Sequence, residues 1–265
     1  MKVLLKNHPV ASFYVLAFLF SWLGWVPQAL QARGMFPFDH PALTILFTLL
    51  GGGGPTFAAI ILMLILKGKS GPGELFAALG NFRAGWAWYL VAFLGMPLIT
   101  AVALSAGWLF GQPLPDFAGF AWVSILPMFI GMAIWNVWEE IGWRGFALPR
   151  LQEKHSALIT SIVMSILWTL WHLPLLLNPS NPMSGLALGG EFLFSFGLTV
   201  IYTWLYNNTQ GSLFFVTVFH AMSNTVAAVL LDRGVFVSSY LAVVGVTFAA
   251  GVIIPLSFGA KRFAR

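Results

Sequence analysis

The sequence contains no cysteine, and only 8% of its residues are charged. The absence of cysteine excludes disulfides, thiolate nucleophiles and cysteine-ligated zinc. A soluble domain carries about 25% charged residues, so this chain lacks the side chains to build a water-facing surface. With 59% hydrophobic residues and a mean hydropathy of +0.86, it is predicted to be an integral membrane protein whose main surroundings are the lipid bilayer.

Long apolar stretches separated by Gly- and Pro-rich breaks predict the fold. A membrane-spanning helix needs about 20 mostly apolar residues. Candidate spans lie at residues 9–31, 41–67, 85–110, 121–147, 156–177, 191–207, 212–231 and 238–258. The sequence shows neither a linker long enough to separate two domains nor an internal repeat. We therefore predict an all-α fold, a polytopic transmembrane bundle of about eight spans, forming one integral membrane domain over residues 1–265.

The basic residues predict the orientation of the bundle. With the N-terminus inside and the spans alternating, only Arg33 and Arg233 of the 13 Lys and Arg residues fall outside. The predicted inside set is Lys2, Lys6, Lys67, Lys69, Arg83, Arg144, Arg150, Lys154, Lys261, Arg262 and Arg265. Lys and Arg concentrate in cytoplasmic segments, so both termini are predicted to be cytoplasmic. The same placement explains the net charge of +5 without a nucleic-acid partner.

Adjacent carboxylates occur in the predicted fourth span. A charge at the centre of a membrane helix costs about 2.5 to 3.5 kcal/mol, which makes such residues functional candidates. Glu140 and Arg144 are four residues apart, share a helix face and are predicted to pair. Glu139 lies about 100° around the helix and has no cation one turn further on, so its carboxylate remains available. The alternative is a cluster of interfacial charges at a helix end.

The predicted fifth and seventh spans contain the other polar motifs. His172 follows Trp168 by four residues, and Pro174 is expected to loosen the helix there. Taken alone, His172 also fits a hydrogen-bonded core histidine. His220 and Asn224 are four residues apart and point the same way. They are able to donate hydrogen bonds to an oxyanion, although a polar clamp between helices is the alternative.

The depths of these motifs in the membrane are predicted to agree. If the fourth and fifth spans form an antiparallel hairpin, Glu140 and His172 are equidistant from its tip near residue 156. At about 1.5 Å per residue, both lie roughly 24 Å from that tip, and Asn224 lies roughly 20 Å beyond the turn at Gly211. This geometry requires the fourth helix to continue past Arg144. The three motifs are then expected to meet in one layer.

Together, Glu139-Glu140-x-x-x-Arg144, Trp168-x-x-x-His172 and His220-x-x-x-Asn224 resemble the three motifs of the CAAX protease and bacteriocin-processing family. These proteins are intramembrane endopeptidases related to the type II CAAX prenyl endopeptidase. The resemblance covers roughly residues 120–230, and it departs from the family pattern at Trp168, where the family prefers Phe.

The resemblance implies a role for each motif residue. Glu139 and His172 would activate the attacking water, and His220 and Asn224 would stabilise the oxyanion. Glu140 and Arg144 would support the site. Trp168 would contribute to the substrate pocket.

The predicted function is therefore an intramembrane endopeptidase that acts on a peptide or protein substrate, with lipid modification of that substrate left open. The alternative is a non-catalytic immunity or scaffolding protein of the same family. A transporter is disfavoured, because internal repeats are typical of that class. No cofactor is favoured, since no HExxH pair occurs. Zinc held by Glu139, His172 and His220, with one open position, is the alternative.

Overall fold

The computed structural model describes residues 2–264, apart from the side chains of Lys2 and Leu4. The Lys2 side chain and Arg265, both counted in the predicted orientation, lie outside the described residues. Residues 2–264 form helices and connecting turns without any β-strand. The α-helices are α1 (Lys2–Asn7), α2 (Pro9–Gln31), α3 (Pro41–Lys67), α4 (Gly71–Ala77), α5 (Trp86–Leu109), α6 (Ile125–Glu140), α7 (Leu148–Gln152), α8 (Ala157–Trp171), α9 (Leu173–Leu176), α10 (Leu188–Asn208), α11 (Leu213–Asp232) and α12 (Phe236–Phe258).

The predicted all-α polytopic bundle is confirmed, and its fifth span is shorter than expected. Seven helical stretches are long and apolar enough to cross a membrane. At the fifth position, predicted as 156–177, α8 ends at Trp171 and is a shorter apolar helix. Pro174 has no N–H for the carbonyl one turn earlier, so the α-helical ladder cannot continue through it. His172 occupies the break between α8 and α9.

The predicted fourth span continues past Arg144, as the depth argument required. After α6 it forms a π-helical segment, Ile141–Ala147, and then α7. Short π-helical segments inside α-helices are rare and occur frequently at functional sites. Gly142 lies in this segment against α3, where an added Cβ would come within 2.5 Å of the Pro55 carbonyl. The small residue therefore permits the contact that seats the segment on α3.

Helices α2 and α3 also approach closely, at Gly24 and Gly51. A Cβ on Gly24 would lie 2.2 Å from the carbonyl oxygen of Phe47. A Cβ on Gly51 would lie 2.0 Å from the indole nitrogen of Trp25. Gly24 thus lets the two helix backbones approach, and Gly51 makes room for the Trp25 ring, which lines a cavity inside the bundle.

Hydrogen bonds between connecting segments group the turns at two ends of the bundle. At one end, the Ala157 N–H donates to the Lys261 carbonyl at 2.9 Å, joining the start of α8 to the residues after α12. At the other, Arg33 Nη2 donates to the Leu177 carbonyl at 2.7 Å. Each bond joins segments that the alternating-span prediction places on the same side. Which end faces the cytoplasm stays a prediction.

Candidate active site

Glu140 is the centre of a buried charged cluster at the end of α6. Its side chain is fully buried, and its Oε1 accepts a hydrogen bond from Arg144 Nη1 at 3.0 Å. The predicted pair of Glu140 and Arg144 is therefore present. The same oxygen lies 2.8 Å from Nδ1 of His220 on α11. The Arg144 guanidinium also stacks over the rings of Tyr202 and Trp168, at 4.5 and 5.0 Å from their centroids, which is within the range of cation–π attraction.

Glu139 points away from this cluster, as its position on the helix predicts. Its Oε2 accepts a hydrogen bond from the indole Nε1 of Trp168 at 3.3 Å. Its side chain lines a cavity, which neither Glu140 nor Arg144 does. The adjacent carboxylates thus occupy different environments: Glu140 contacts a guanidinium and an imidazole, and Glu139 accepts from a neutral indole.

The cavity has a volume of about 270 Å³ and is lined mainly by apolar side chains. Polar side chains contributed by all three motifs meet in it. The predicted site residues in its wall are Glu139, Trp168, His172, His220 and Asn224. The apolar wall comes from α2, α5, α6, α9, α10, α11 and α12, together with the connection between α9 and α10. The expected convergence of the motifs is therefore present.

His172 reaches the cavity from the break between α8 and α9. The Trp25 ring lies nearly parallel to the imidazole, with 6.2 Å between centroids and an interplanar angle of 15°. His172 Nδ1 is buried and makes no hydrogen bond to any described residue. Its nearest carboxylate is that of Glu191 on α10, with Oε1 at 3.9 Å. This distance is longer than a hydrogen bond, so the contact is electrostatic.

Asn224 is tied to a second amide that the sequence analysis did not single out. Its Nδ2 donates to Oδ1 of Asn136 at 3.0 Å. Asn136 is fully buried on α6, and its own Nδ2 has no partner among the described residues. Amide oxygen and nitrogen are assigned from the hydrogen-bond network, and exchanging them in both residues preserves the bond. In that arrangement Asn136 is the donor, and the NH₂ group of Asn224 is free to act toward the cavity.

Sequence reasoning missed Asn136 and Glu191 for different reasons. Asn136 is uncharged, and its only signal is its position three residues before Glu139. Glu191 stood at the first position of the predicted span 191–207 and so resembled an interfacial charge. Helix α10 instead begins at Leu188, which places Glu191 inside the bundle with 4% of its surface exposed. An unpaired acid one turn into an apolar helix was the signal available.

The alternative of a zinc site requires the side chains of Glu139, His172 and His220 to surround one metal ion. Among residues 2–264, no group of three or more His, Asp or Glu side chains is arranged to hold a metal ion. The zinc ligand set of Glu139, His172 and His220 is therefore not assembled. The Nδ1 atom of His220 is also engaged with Glu140.

The part of the chain that forms this site is similar to known proteins. Residues 120–226 match the family described as type II CAAX prenyl endopeptidase Rce1-like. Over 144 residues the chain is 29% identical to CAAX prenyl protease 2 of Methanococcus maripaludis, covering 51% of this chain and 53% of that protein. The chain thus spans about half the length of this curated relative. The family match contains all three motifs and confirms the predicted resemblance.

Proposed function

We propose that the chain is an intramembrane endopeptidase of CAAX-protease type, starting from the match of residues 120–226 to the Rce1-like family of type II CAAX prenyl endopeptidases. One observation carries the proposal: Glu139, His172, His220 and Asn224 come from three helical segments far apart in sequence and line the same cavity. A general base and oxyanion donors around one cavity are the parts that hydrolysis by water requires.

Glu139 and His172 are proposed to bind and activate the attacking water. Glu139 has no cation bonded to its carboxylate, so both oxygens can accept from water. The water oxygen forms a bond to the carbonyl carbon of the peptide, and its proton passes to Glu139. As the carbon–nitrogen bond breaks, that proton is delivered to the leaving amine. The second product is a carboxylic acid.

His220 and Asn224 are proposed to stabilise the oxyanion. A histidine that donates from both ring nitrogens is a cation, and Glu140 provides the counter-charge at 2.8 Å from Nδ1. With Arg144 and a doubly protonated His220 on one carboxylate, the cluster carries a net charge of +1. This charge favours the negative oxygen of the tetrahedral intermediate. Asn224, held by Asn136, would supply the second donor.

The cavity supports a mainly apolar peptide substrate. Its wall is apolar apart from the catalytic groups, Glu191 and a few hydroxyl-bearing side chains. A polypeptide segment with apolar side chains, with or without a lipid modification, matches such a wall because burying it releases water from both surfaces. The relative in Methanococcus maripaludis is named a prenyl protease, which makes a prenylated peptide the first probe to try.

We also propose that both termini and the turn containing Lys154 face the cytoplasm, because eleven of the 13 basic residues then lie inside. A single cysteine introduced at position 154 tests this, since the chain has no endogenous cysteine. Labelling by an impermeant maleimide only after the cytoplasmic face is opened is expected. Labelling from the outer face alone would reverse the assignment.

The activity is tested with purified chain in liposomes and one peptide in prenylated and unprenylated forms. Wild type and Glu139→Gln are compared by mass spectrometry of the products. In parallel, terminal proteomics of membranes expressing either protein reports cleavage of unknown substrates. New termini that require Glu139 support the peptidase. If neither assay shows a difference between two well-folded proteins, the non-catalytic immunity or scaffolding role is favoured.

A further inference from the structure

Glu191 is an acidic residue of the cavity wall for which the proposed reaction gives no role. It lies on α10, outside all three motifs and outside their helices. Its carboxylate is 96% shielded from solvent, with 4% of the residue surface exposed. A buried carboxylate is costly unless nearby donors compensate it. The contacts of the Glu191 carboxylate therefore indicate its role.

Two hydroxyl groups hold the Glu191 carboxylate in place. Ser195, one turn further along α10, donates from Oγ to Oε1 at 3.2 Å. Tyr240 on α12 donates from its hydroxyl to Oε2 at 3.5 Å. Each carboxylate oxygen has two lone-pair positions, so Oε1 can accept a second hydrogen bond. The group facing that oxygen is Nδ1 of His172, at 3.9 Å.

His172 lacks the partner that Glu191 would supply. Its Nδ1 atom is buried without a hydrogen bond among the described residues, and a buried polar atom without a partner is destabilising. Hydrogen bonds of catalytic groups are often long before substrate binds. A contraction of about 1 Å brings the pair to the usual hydrogen-bond distance of about 2.9 Å. His172 stands at a helix break, where such a small movement is easiest.

We propose that Glu191 is a positioning residue that accepts a hydrogen bond from Nδ1 of His172 and thereby directs Nε2 of that histidine toward the attacking water. This inference rests on the proposed peptidase function for its catalytic meaning. A neutral histidine whose proton is on Nδ1 has a lone pair on Nε2. That lone pair accepts from the water which Glu139 deprotonates. A carboxylate behind a catalytic histidine fixes its tautomer and orientation in the same way in other hydrolases.

A competing acceptor for the same proton is the Trp168 carbonyl, one turn earlier on α8. It also interacts with the His172 ring. If the Trp168 carbonyl by itself sets the tautomer of His172, changing Glu191 has no effect on which ring nitrogen carries the proton. The two acceptors are separated by changing Glu191 while leaving the main chain unchanged.

The test is a measurement of the His172 tautomer by nuclear magnetic resonance. The protein is labelled with ¹⁵N-histidine, and two-bond ¹H–¹⁵N spectra report which ring nitrogen carries the proton. The signal of His172 is assigned from its loss in His172→Gln. Wild type is compared with Glu191→Met, which has similar length but no acceptor, and with Glu191→Gln, which keeps one acceptor oxygen.

Wild type is expected to carry the His172 proton on Nδ1. Glu191→Met is expected to convert this signal to a mixture of tautomers, and Glu191→Gln to restore it in part. Ser195→Ala is the matched control: Ser195 is equally buried, lies on the same helix and touches Glu191 but does not line the cavity. Its His172 proton should stay on Nδ1, because the acceptor carboxylate and its hydrogen bond from Tyr240 are retained. If Glu191→Met does not fold, the spectrum of Glu191→Gln tests the contact instead. Replacing the carboxylate with a neutral amide must shift the Nδ1 resonance of His172 if the two side chains are hydrogen-bonded.

Cleavage kinetics give the second readout. Removal of the acceptor in Glu191→Met should lower kcat roughly 10- to 100-fold, the range typical of a lost orienting partner, with KM little changed. A changed tautomer in a protein without any peptidase activity would support the positioning contact and remove the proposed function. A proton on Nε2 in wild type, or the same tautomer in wild type and both Glu191 variants, would overturn the inference.

Discussion

Glu139 and Glu140 are adjacent in sequence and differ in everything around them. Glu140 is fully buried and shares one oxygen between Arg144 and His220, at 3.0 and 2.8 Å. Glu139 receives one hydrogen bond from Trp168 and faces the cavity. The difference arises from the rotation of about 100° between successive helical residues. The same helix turn thus directs the paired carboxylate of Glu140 into the core and the carboxylate of Glu139 into the cavity.

The two adjacent glutamates therefore have different roles. Two carboxylates on neighbouring positions repel each other when both are ionised, and the Arg144 guanidinium beside Glu140 offsets that repulsion. Arg144 therefore allows Glu139 to stand beside a second acid, with the indole of Trp168 as its own hydrogen-bond donor. The two residues can be separated experimentally, because activity should depend on one and stability on the other.

The largest expected effect is that of Glu139→Gln on turnover. Without its carboxylate the cavity loses the proposed base, and general-base catalysis contributes about 10² to 10⁴ in rate. We expect kcat to fall by about 10²- to 10⁴-fold, while the melting temperature stays close to wild type because only the bond from Trp168 is affected. Turnover and thermal unfolding in one detergent measure both. Wild-type turnover in this variant would assign the base elsewhere.

The next effect is the loss of stability in Glu140→Gln. The change leaves the buried Arg144 without its charge partner, and breaking a buried pair from one side costs about 3 to 5 kcal/mol. We expect a marked drop in the free energy of unfolding and a partial loss of activity, because His220 loses its carboxylate as well. A variant that is as stable as wild type but inactive would exchange the roles assigned to the two acids.

A smaller net effect on stability is expected for Glu140→Gln combined with Arg144→Met. Removing both charges is often close to neutral, because neither is left unpaired. The double variant should therefore regain most of the stability lost in Glu140→Gln. Its activity should stay low, since His220 still lacks a carboxylate at Nδ1. Equal recovery of both properties would show that Glu140 acts only through Arg144.

The sequence predicted the helices and the three motifs because both depend on local patterns. Helix positions follow from the length of apolar stretches, and Glu140, His172 and Asn224 were placed at similar depths by counting residues from turns. The end of α8 at Trp171 was predicted only as a loosening of the helix near Pro174. The contact between Glu140 and His220 joins residues 80 positions apart, and spacing within a single helix says nothing about it.

The contacts that Asn136 and Glu191 make could not be predicted from local sequence. Their roles depend on which side chains of other helices face them, and rotation of each helix about its axis is set by packing. Close approaches constrain those rotations: Gly142 in the fourth span packs against α3, and Gly197 on α10 packs against α12. No single span reveals its own rotation, so the amide partner of Asn224 and the second acid of the cavity emerge only when the helices are packed together.

The smallest effect belongs to Trp168→Phe, which tests the one neutral donor on Glu139. Phe is the residue that the related family prefers here, so the ring and the cavity wall are retained. The indole N–H is lost, and with it the 3.3 Å hydrogen bond to Oε2. A bond of this length is weak, and we expect kcat to fall by about tenfold at most, which corresponds to about 1.4 kcal/mol.

The matched control for this change is Trp143→Phe. Trp143 is also buried on the same helical stretch as the acids, and its indole nitrogen has no hydrogen-bond partner among the described residues. It does not line the cavity. Both substitutions remove the same atoms from a buried indole, so their stability losses should be similar, whereas only Trp168→Phe should reduce kcat. Equal kcat values for the two variants would mean that Glu139 is oriented by its helix alone, and that the donor from Trp168 adds nothing to the difference between the two acids.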